Sequence, residues 1–137
     1  MAVTTARLFR VVLPVSDVER AVFFYATVLN DPGERVSANR HYFDCGGTIL
    51  ALVQPTGVEG TFARPNPDHV YLAVPDLESV LDRCRRAGAT SFDAQDQQPG
   101  IADRPWGERS FYLRDLDGNP LCFVEQTTEF TGGAFVP

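Results

Sequence analysis

Apolar and polar positions alternate at the start of the chain. Val11, Leu13 and Val15 fall on one side and Arg10, Val12 and Pro14 on the other, the period-two pattern of a strand. A shift of 59 residues repeats it, with Val70, Leu72 and Val74 opposing His69, Tyr71 and Ala73. Asp17 and Glu19 recur in the same register as Asp76 and Glu78. Each strand then meets a helical spacing. Val18, Ala21, Val22, Tyr25, Val28 and Leu29 form the first stripe, and Asp31-Pro32-Gly33 ends it. Ser16-Asp17-Val18-Glu19 reads as a capping box in which the Ser16 hydroxyl accepts the first free N–H. In the second copy Asp76 is the cap, Leu77, Val80, Leu81 and Cys84 are the stripe, and Gly88 suits the left-handed position after the helix.

Three short strands are predicted after each helix. The first set is Glu34–Ser37, Arg40–Cys45 and Thr48–Gln54, with Gly46-Gly47 as a tight turn. The second is Thr90–Asp93, Glu108–Arg114 and Pro120–Gln126, with Asp117-Gly118-Asn119 as the turn. Aligning Gly47 with Gly118 also pairs Leu50 with Leu121 and Val53 with Val124. The unit is strand–helix–strand–strand–strand, used twice, at residues 6–54 and 67–126 of one domain spanning 1–137. Residues 55–66 read as the linker and the tail after Gln126 as peripheral. One unit covers one sheet face with its own helix and leaves the other bare. Two units bury the second faces by curving toward each other. The expected class is therefore α+β: two βαβββ modules forming a curved mixed sheet around a cup, with helices on the outer face.

Composition narrows the chemistry. A single-domain length of 137 residues with 44% hydrophobic content supports a real core and argues against disorder. The formal charge of −6, with arginines scattered along the chain, disfavours nucleic acid as a partner. All twelve basic residues are Arg, which excludes lysine Schiff bases and a Walker-type phosphate lysine. Two histidines, His41 and His69, exclude any site built on three. Three cysteines without a CxxC motif fit a reducing compartment. No apolar run approaches the ~18 residues that span a bilayer, and the first residues lack a signal-peptide core. A cytoplasmic protein without membrane association is expected.

Val15-Ser16-Asp17-Val18-Glu19-Arg20 with Phe24-Tyr25, His69-Val70 with Val74-Pro75-Asp76-Leu77, Pro105-Trp106-Gly107, and Asp115-Leu116-Asp117-Gly118-Asn119 occur in this order across nearly the whole chain. In this the sequence resembles the vicinal oxygen chelate superfamily, which includes glyoxalase I, extradiol dioxygenases, and fosfomycin- and bleomycin-resistance proteins. The resemblance implies a divalent ion in metal-dependent members, held at four strand positions that here carry Arg10, Ala51, His69 and Cys122. Only His69 matches. A guanidinium has no lone pair to give a cation and alanine has no donor, so no metal or other cofactor is expected. The resemblance also implies a homodimer, because a second chain often completes the cup.

The candidate ligand-binding residues are Arg10, His69, Tyr71, Trp106 and Cys122, with Tyr112 as further aromatic lining. Arg10 is either a rim charge or a fixed positive charge standing in for the ion and gripping a carboxylate or enolate. His69 is a hydrogen-bonded strand-start residue, or a neutral imidazole that orients a ligand or takes a proton. Cys122 is a small buried hydrophobe, or a thiol whose pKa a nearby Arg10 lowers. Trp106 anchors the Gly/Pro-rich loop from Gln95 to Gly107, or stacks on a ligand at a cleft edge. Asp117 and Asn119 are explained by the turn, and His41 is expected to be partly exposed in its hairpin. No catalytic constellation is visible. The expected function is a metal-free protein of the glyoxalase/bleomycin-resistance type that sequesters a small, aromatic ligand. The alternative is a lyase, isomerase or dioxygenase of the same superfamily with a non-standard or absent metal site.

Overall fold

The computed structural model describes residues 5–55, 64–92 and 99–132. Strand β1 (Arg10–Pro14) pairs in parallel with β4 (Thr48–Val53). β4 pairs with β3 (Arg40–Cys45), and β3 with β2 (Glu34–Ser37), both antiparallel. This gives a four-stranded mixed sheet in the order β1-β4-β3-β2. The second sheet repeats that order as β5 (Val70–Val74), β8 (Pro120–Glu125), β7 (Arg109–Arg114) and β6 (Ala102–Asp103). Helix α1 (Val18–Leu29) and helix α2 (Leu77–Arg86) follow the first strand of each half. The α+β two-module architecture expected from the repeat is what the chain adopts.

Each helix packs on its own sheet, and the two helices pack on each other. Val18, Ala21, Phe24, Tyr25 and Val28 form the buried face of α1, and Leu77, Val80, Leu81 and Cys84 that of α2. They join Leu13, Phe43, Leu50, Phe111, Leu121 and Phe123 in one continuous core. Each large side chain there contributes ~1.5–3 kcal/mol by leaving water. Tyr25 adds a polar link between the halves, because its hydroxyl donates to Asp115 Oδ2 at 2.6 Å.

Three local expectations are corrected. The cap of α1 is Asp17, not Ser16. The Asp17 carboxylate accepts from the N–H groups of Glu19 and Arg20, where its charge also suits the helix N-terminus. The Ser16 backbone N–H instead donates to Asp117 Oδ1, 101 residues away, a partner invisible to local pattern. The strand expected at Thr90–Asp93 is reduced to a single bridge between Thr90 and Arg114, since Ser91 turns left-handed (φ 55°) and leads the chain off the sheet. The edge of β7 is covered farther along by β6. Asp93, like residues 56–63 of the linker and residues 95–98 of the loop before Trp106, lies outside the described residues. His41 is buried rather than partly exposed. Its Nε2 lies 2.9 Å from the Pro32 carbonyl and its ring stands against Phe43. Gly33, at φ 61°, is needed beneath it, because a Cβ there would come within 2.7 Å of both rings.

Candidate functional site

The register of the second sheet decides which residues meet. Tyr71 on β5 lies opposite Cys122 on β8, and Cys122 opposite Tyr112 on β7, one row across three strands. Ala73, Val124 and Ser110 form the next row on the same face, opposite the face that carries Leu72, Phe123 and Phe111 into the core. His69, just before β5, stands edge-on to Tyr112 at 5.0 Å between ring centroids, and Tyr71 meets Tyr112 at 6.5 Å. Three of the five candidate residues, His69, Tyr71 and Cys122, are thus neighbours, and the facing of Tyr112 is settled.

Arg104, which the sequence reading passed over, lies behind this row. It is 4% exposed and sits 4.9 Å over the Tyr112 ring. Its Nε donates to Ser110 Oγ, and Nη2 donates to the carbonyls of Ser110 and Gly100. The one available signal was an arginine inside the Asp-Arg-Pro-Trp-Gly loop, a segment short of apolar residues that could cover it. Cys122 is fully buried, and burial pushes its thiol up to about 11 despite the partial offset from Ser110 and Arg104. The guanidinium that bears on it is Arg104, not Arg10. Burial also raises the Tyr112 phenol, with further contributions from Cys122 and the Tyr71 hydroxyl.

Trp106 borders the same face. Its indole Nε1 donates to Glu108 Oε1 at 2.9 Å, while Glu108 Oε2 accepts from the Phe130 N–H. Trp106 and Tyr71, 46% and 56% exposed, line a cleft of about 380 Å³ with Ala73, Val124, Glu108 and Glu129. His69 is half-buried. Its backbone N–H donates to Asp68 Oδ1, and its ring Nδ1 lies 3.4 Å from the same oxygen. These contacts hold the exposed Asp68 carboxyl below its ordinary range.

Arg10 stands apart, on the first sheet. Its guanidinium lies 4.9 Å over both the Phe9 and the Tyr42 rings, and it makes no hydrogen bond or ion pair with any described residue. Tyr42 neighbours Ala51, and Ala51 neighbours Val12, so Arg10 and Ala51 share a sheet face. No ring contact or hydrogen bond among the described residues joins Arg10 to the His69 group.

Comparison with known proteins places this architecture. Residues 10–124 match the glyoxalase-like domain. The chain belongs to the glyoxalase-like family. It is 28% identical over 109 residues to metallothiol transferase FosB of Shouchella clausii, covering 78% of this chain and 71% of that one. Among solved structures, a glyoxalase/bleomycin resistance protein from Albidiferax ferrireducens superposes with a TM-score of 0.70 at 23% identity, covering 85% of this chain and 97% of the other. Oxidase ChaP-H2 also gives 0.70, at 21% identity, covering 96% and 100%. At these identities the solved structures speak to the fold.

Metal-dependent glyoxalase-like proteins raise the question of an ion. Among the described residues no three His, Cys, Asp or Glu side chains come together. At the four strand positions that the resemblance implies, the side chains are a guanidinium, a methyl, one imidazole and a buried protonated thiol. That set does not suit a divalent cation.

Proposed function

We propose that this protein binds a small planar molecule in the cleft between Tyr71 and Trp106, without a metal, as a sequestering protein of the glyoxalase/bleomycin-resistance type. The observation that carries the reading is the pair of half-exposed rings on either side of an apolar floor of Ala73 and Val124. Large aromatic side chains left open to water beside a concavity favour a flat apolar partner. Glu108 and Glu129 give the cleft a negative border, so a planar cation fits better than an anion. Glu108 also fixes the indole, which lowers the ordering cost on binding. Tyr112, held by Arg104 and His69, is the rigid backing for Tyr71. Arg10 with Tyr42 and Phe9 is a second, cationic half-site on the other sheet. A second copy of the chain, as expected for a homodimer, is a means of bringing the two together.

Titration of the purified protein with a planar cationic dye, followed by Trp106 fluorescence, tests this. Saturable quenching is expected, with Tyr71→Ala weakening binding by about tenfold, the scale of one lost stacking contact, and Trp106→Phe, followed by the fluorescence anisotropy of the dye because the only indole is then gone, doing the same. Binding unchanged by Tyr71→Ala would refute the cleft. The second reading, an enzyme of the superfamily, draws on the metallothiol transferase relative and on the half-buried His69 beside Tyr71. Stoichiometric zinc, manganese, nickel or iron in protein purified without chelator would favour it.

A further inference from the structure

The first sheet turns a charged face away from the core. Register sets Arg10 and Asp44 in one row of that face, Val12, Tyr42 and Glu34 in the next, and Arg40 in a third. The backbone beneath them is fixed. The Val12 carbonyl accepts from Asn66 Nδ2, the Pro14 carbonyl from Asn119 Nδ2, and the Ser16 N–H is bound by Asp117.

Guanidiniums and rings alternate across these rows. Arg7 lies 5.4 Å from the centroid of the Phe9 ring and Arg10 4.9 Å from it. Arg10 lies 4.9 Å from the Tyr42 centroid as well, and Arg40 Nη1 donates to the Tyr42 hydroxyl at 3.2 Å. Arg7 Nη1 is tied to the Gly47 carbonyl at 2.8 Å. The outer two arginines thus each spend a donor on the protein, while Arg10, in the middle of the series, is held by the rings and bonds no described residue. A guanidinium held over ring faces keeps its N–H edge for an acceptor with two oxygens. The exposed Phe9 and Val12 add apolar surface beside it. The acidic residues of the four strands are Asp44 and Glu34, and neither pairs with an arginine among the described residues. Asp44 accepts instead from the Gly47 N–H. Arg35, on the opposite face, is taken by Glu19.

We propose that this face binds the monoanion of a planar aromatic acid, its carboxylate on the Arg10 guanidinium and its ring against Phe9 and Val12. The forked N–H groups of Arg10 match the two oxygens of a carboxylate. Arg7, Arg10 and Arg40 against Asp44 and Glu34 leave a single positive charge in excess, which suits a carboxylate better than a nearly doubly charged phosphate ester. The two acidic side chains are therefore the selectivity of the site, because they oppose a second negative charge on the ligand. The cationic half-site thereby becomes a site in its own right. It shares no side chain with the Tyr71–Trp106 cleft, takes a ligand of the opposite charge, and does not depend on what that cleft binds.

The probe is 2-naphthoate, titrated into the ¹⁵N-labelled full chain at about pH 7. The expected result is saturable shifts of the Phe9, Arg10 and Val12 amides and of the Arg10 Nε–H, with the Trp106 indole signal unmoved. The uncharged 2-naphthamide, tested on the unaltered protein, should bind about tenfold more weakly. Arg10→Gln should weaken naphthoate binding to the same extent. Arg10 is exposed and bonds no described residue, so the variant keeps the fold, which unchanged spectra away from the site would verify. Arg10→Lys should restore only part of the loss, because an ammonium has no fork. 2-Naphthyl phosphate should bind no more tightly than the acid. Absence of binding would overturn the proposal, and so would an amide that binds equally well, which would reduce the face to an apolar patch. Tighter binding of the phosphate would overturn the selection of a monoanion, and shifts confined to Tyr71 and Trp106 would place the acid in the cleft instead.

Discussion

At the scale of single residues, Tyr25 and Asp115 are the most consequential pair. Asp115 accepts from the Tyr25 hydroxyl, the N–H groups of Asp117 and Asn119, and Asn119 Nδ2. Burial nonetheless lifts its carboxyl above the ordinary value of 3.8, and Tyr25 is raised in turn by burial and by the carboxylate. A raised native carboxyl means that the folded state holds the proton more tightly than the unfolded chain. The resulting stabilisation is present below pH 3.8 and fades as pH rises through the native value. Tyr25→Phe removes a donor from the ionised form. We expect a loss of about 1–3 kcal/mol in urea unfolding at pH 7. The gap to wild type should narrow as pH falls through the Asp115 titration, which carboxyl NMR would place higher in the variant. The thiols give a second prediction. Cys84 and Cys122 are buried, with thiols pushed up to about 12 and about 11, whereas Cys45 is half-buried. Mass spectrometry after brief exposure to a maleimide at pH 7 should find Cys45 modified, and Cys84 and Cys122 only in urea. Early modification of Cys122 would contradict its buried place between Tyr71 and Tyr112.

At the scale of elements, the turn at 115–119 does more than reverse the chain. Asn119 donates to Pro14 and to Asp115, and its Oδ1 accepts from the Asn66 N–H. Asn119→Ala leaves several buried groups unpaired, and a loss of about 2–4 kcal/mol in thermal or urea unfolding is expected. Asp-Gly-Asn in the sequence announces a turn, and the turn forms. What no local pattern could reveal is that the same side chains reach a strand a hundred residues earlier. The helices and seven of the eight strands were legible from period and from their flanking turns. β6 was not, because two residues carry no period. The site was legible only in part. Alternation placed Tyr71 on one strand face, but the row Tyr71–Cys122–Tyr112 depends on register, and Arg104 acts from a loop with no periodicity at all.

At the scale of the whole molecule, one core draws on both helices and both sheets. Circular dichroism and Trp106 fluorescence should therefore report a single coincident unfolding transition, and separate midpoints would mean that the halves melt independently. The side-chain bonds along β1 add a direction to this union. The β7–β8 turn secures the first half through Asp117 and Asn119, with Asn66 of the linker beside them, and no described residue of the first half makes a comparable bond to β5. A chain severed in the linker would bear the damage unequally: the leading fragment would be left with a raw, sticky border, while the trailing fragment would keep the border it already had.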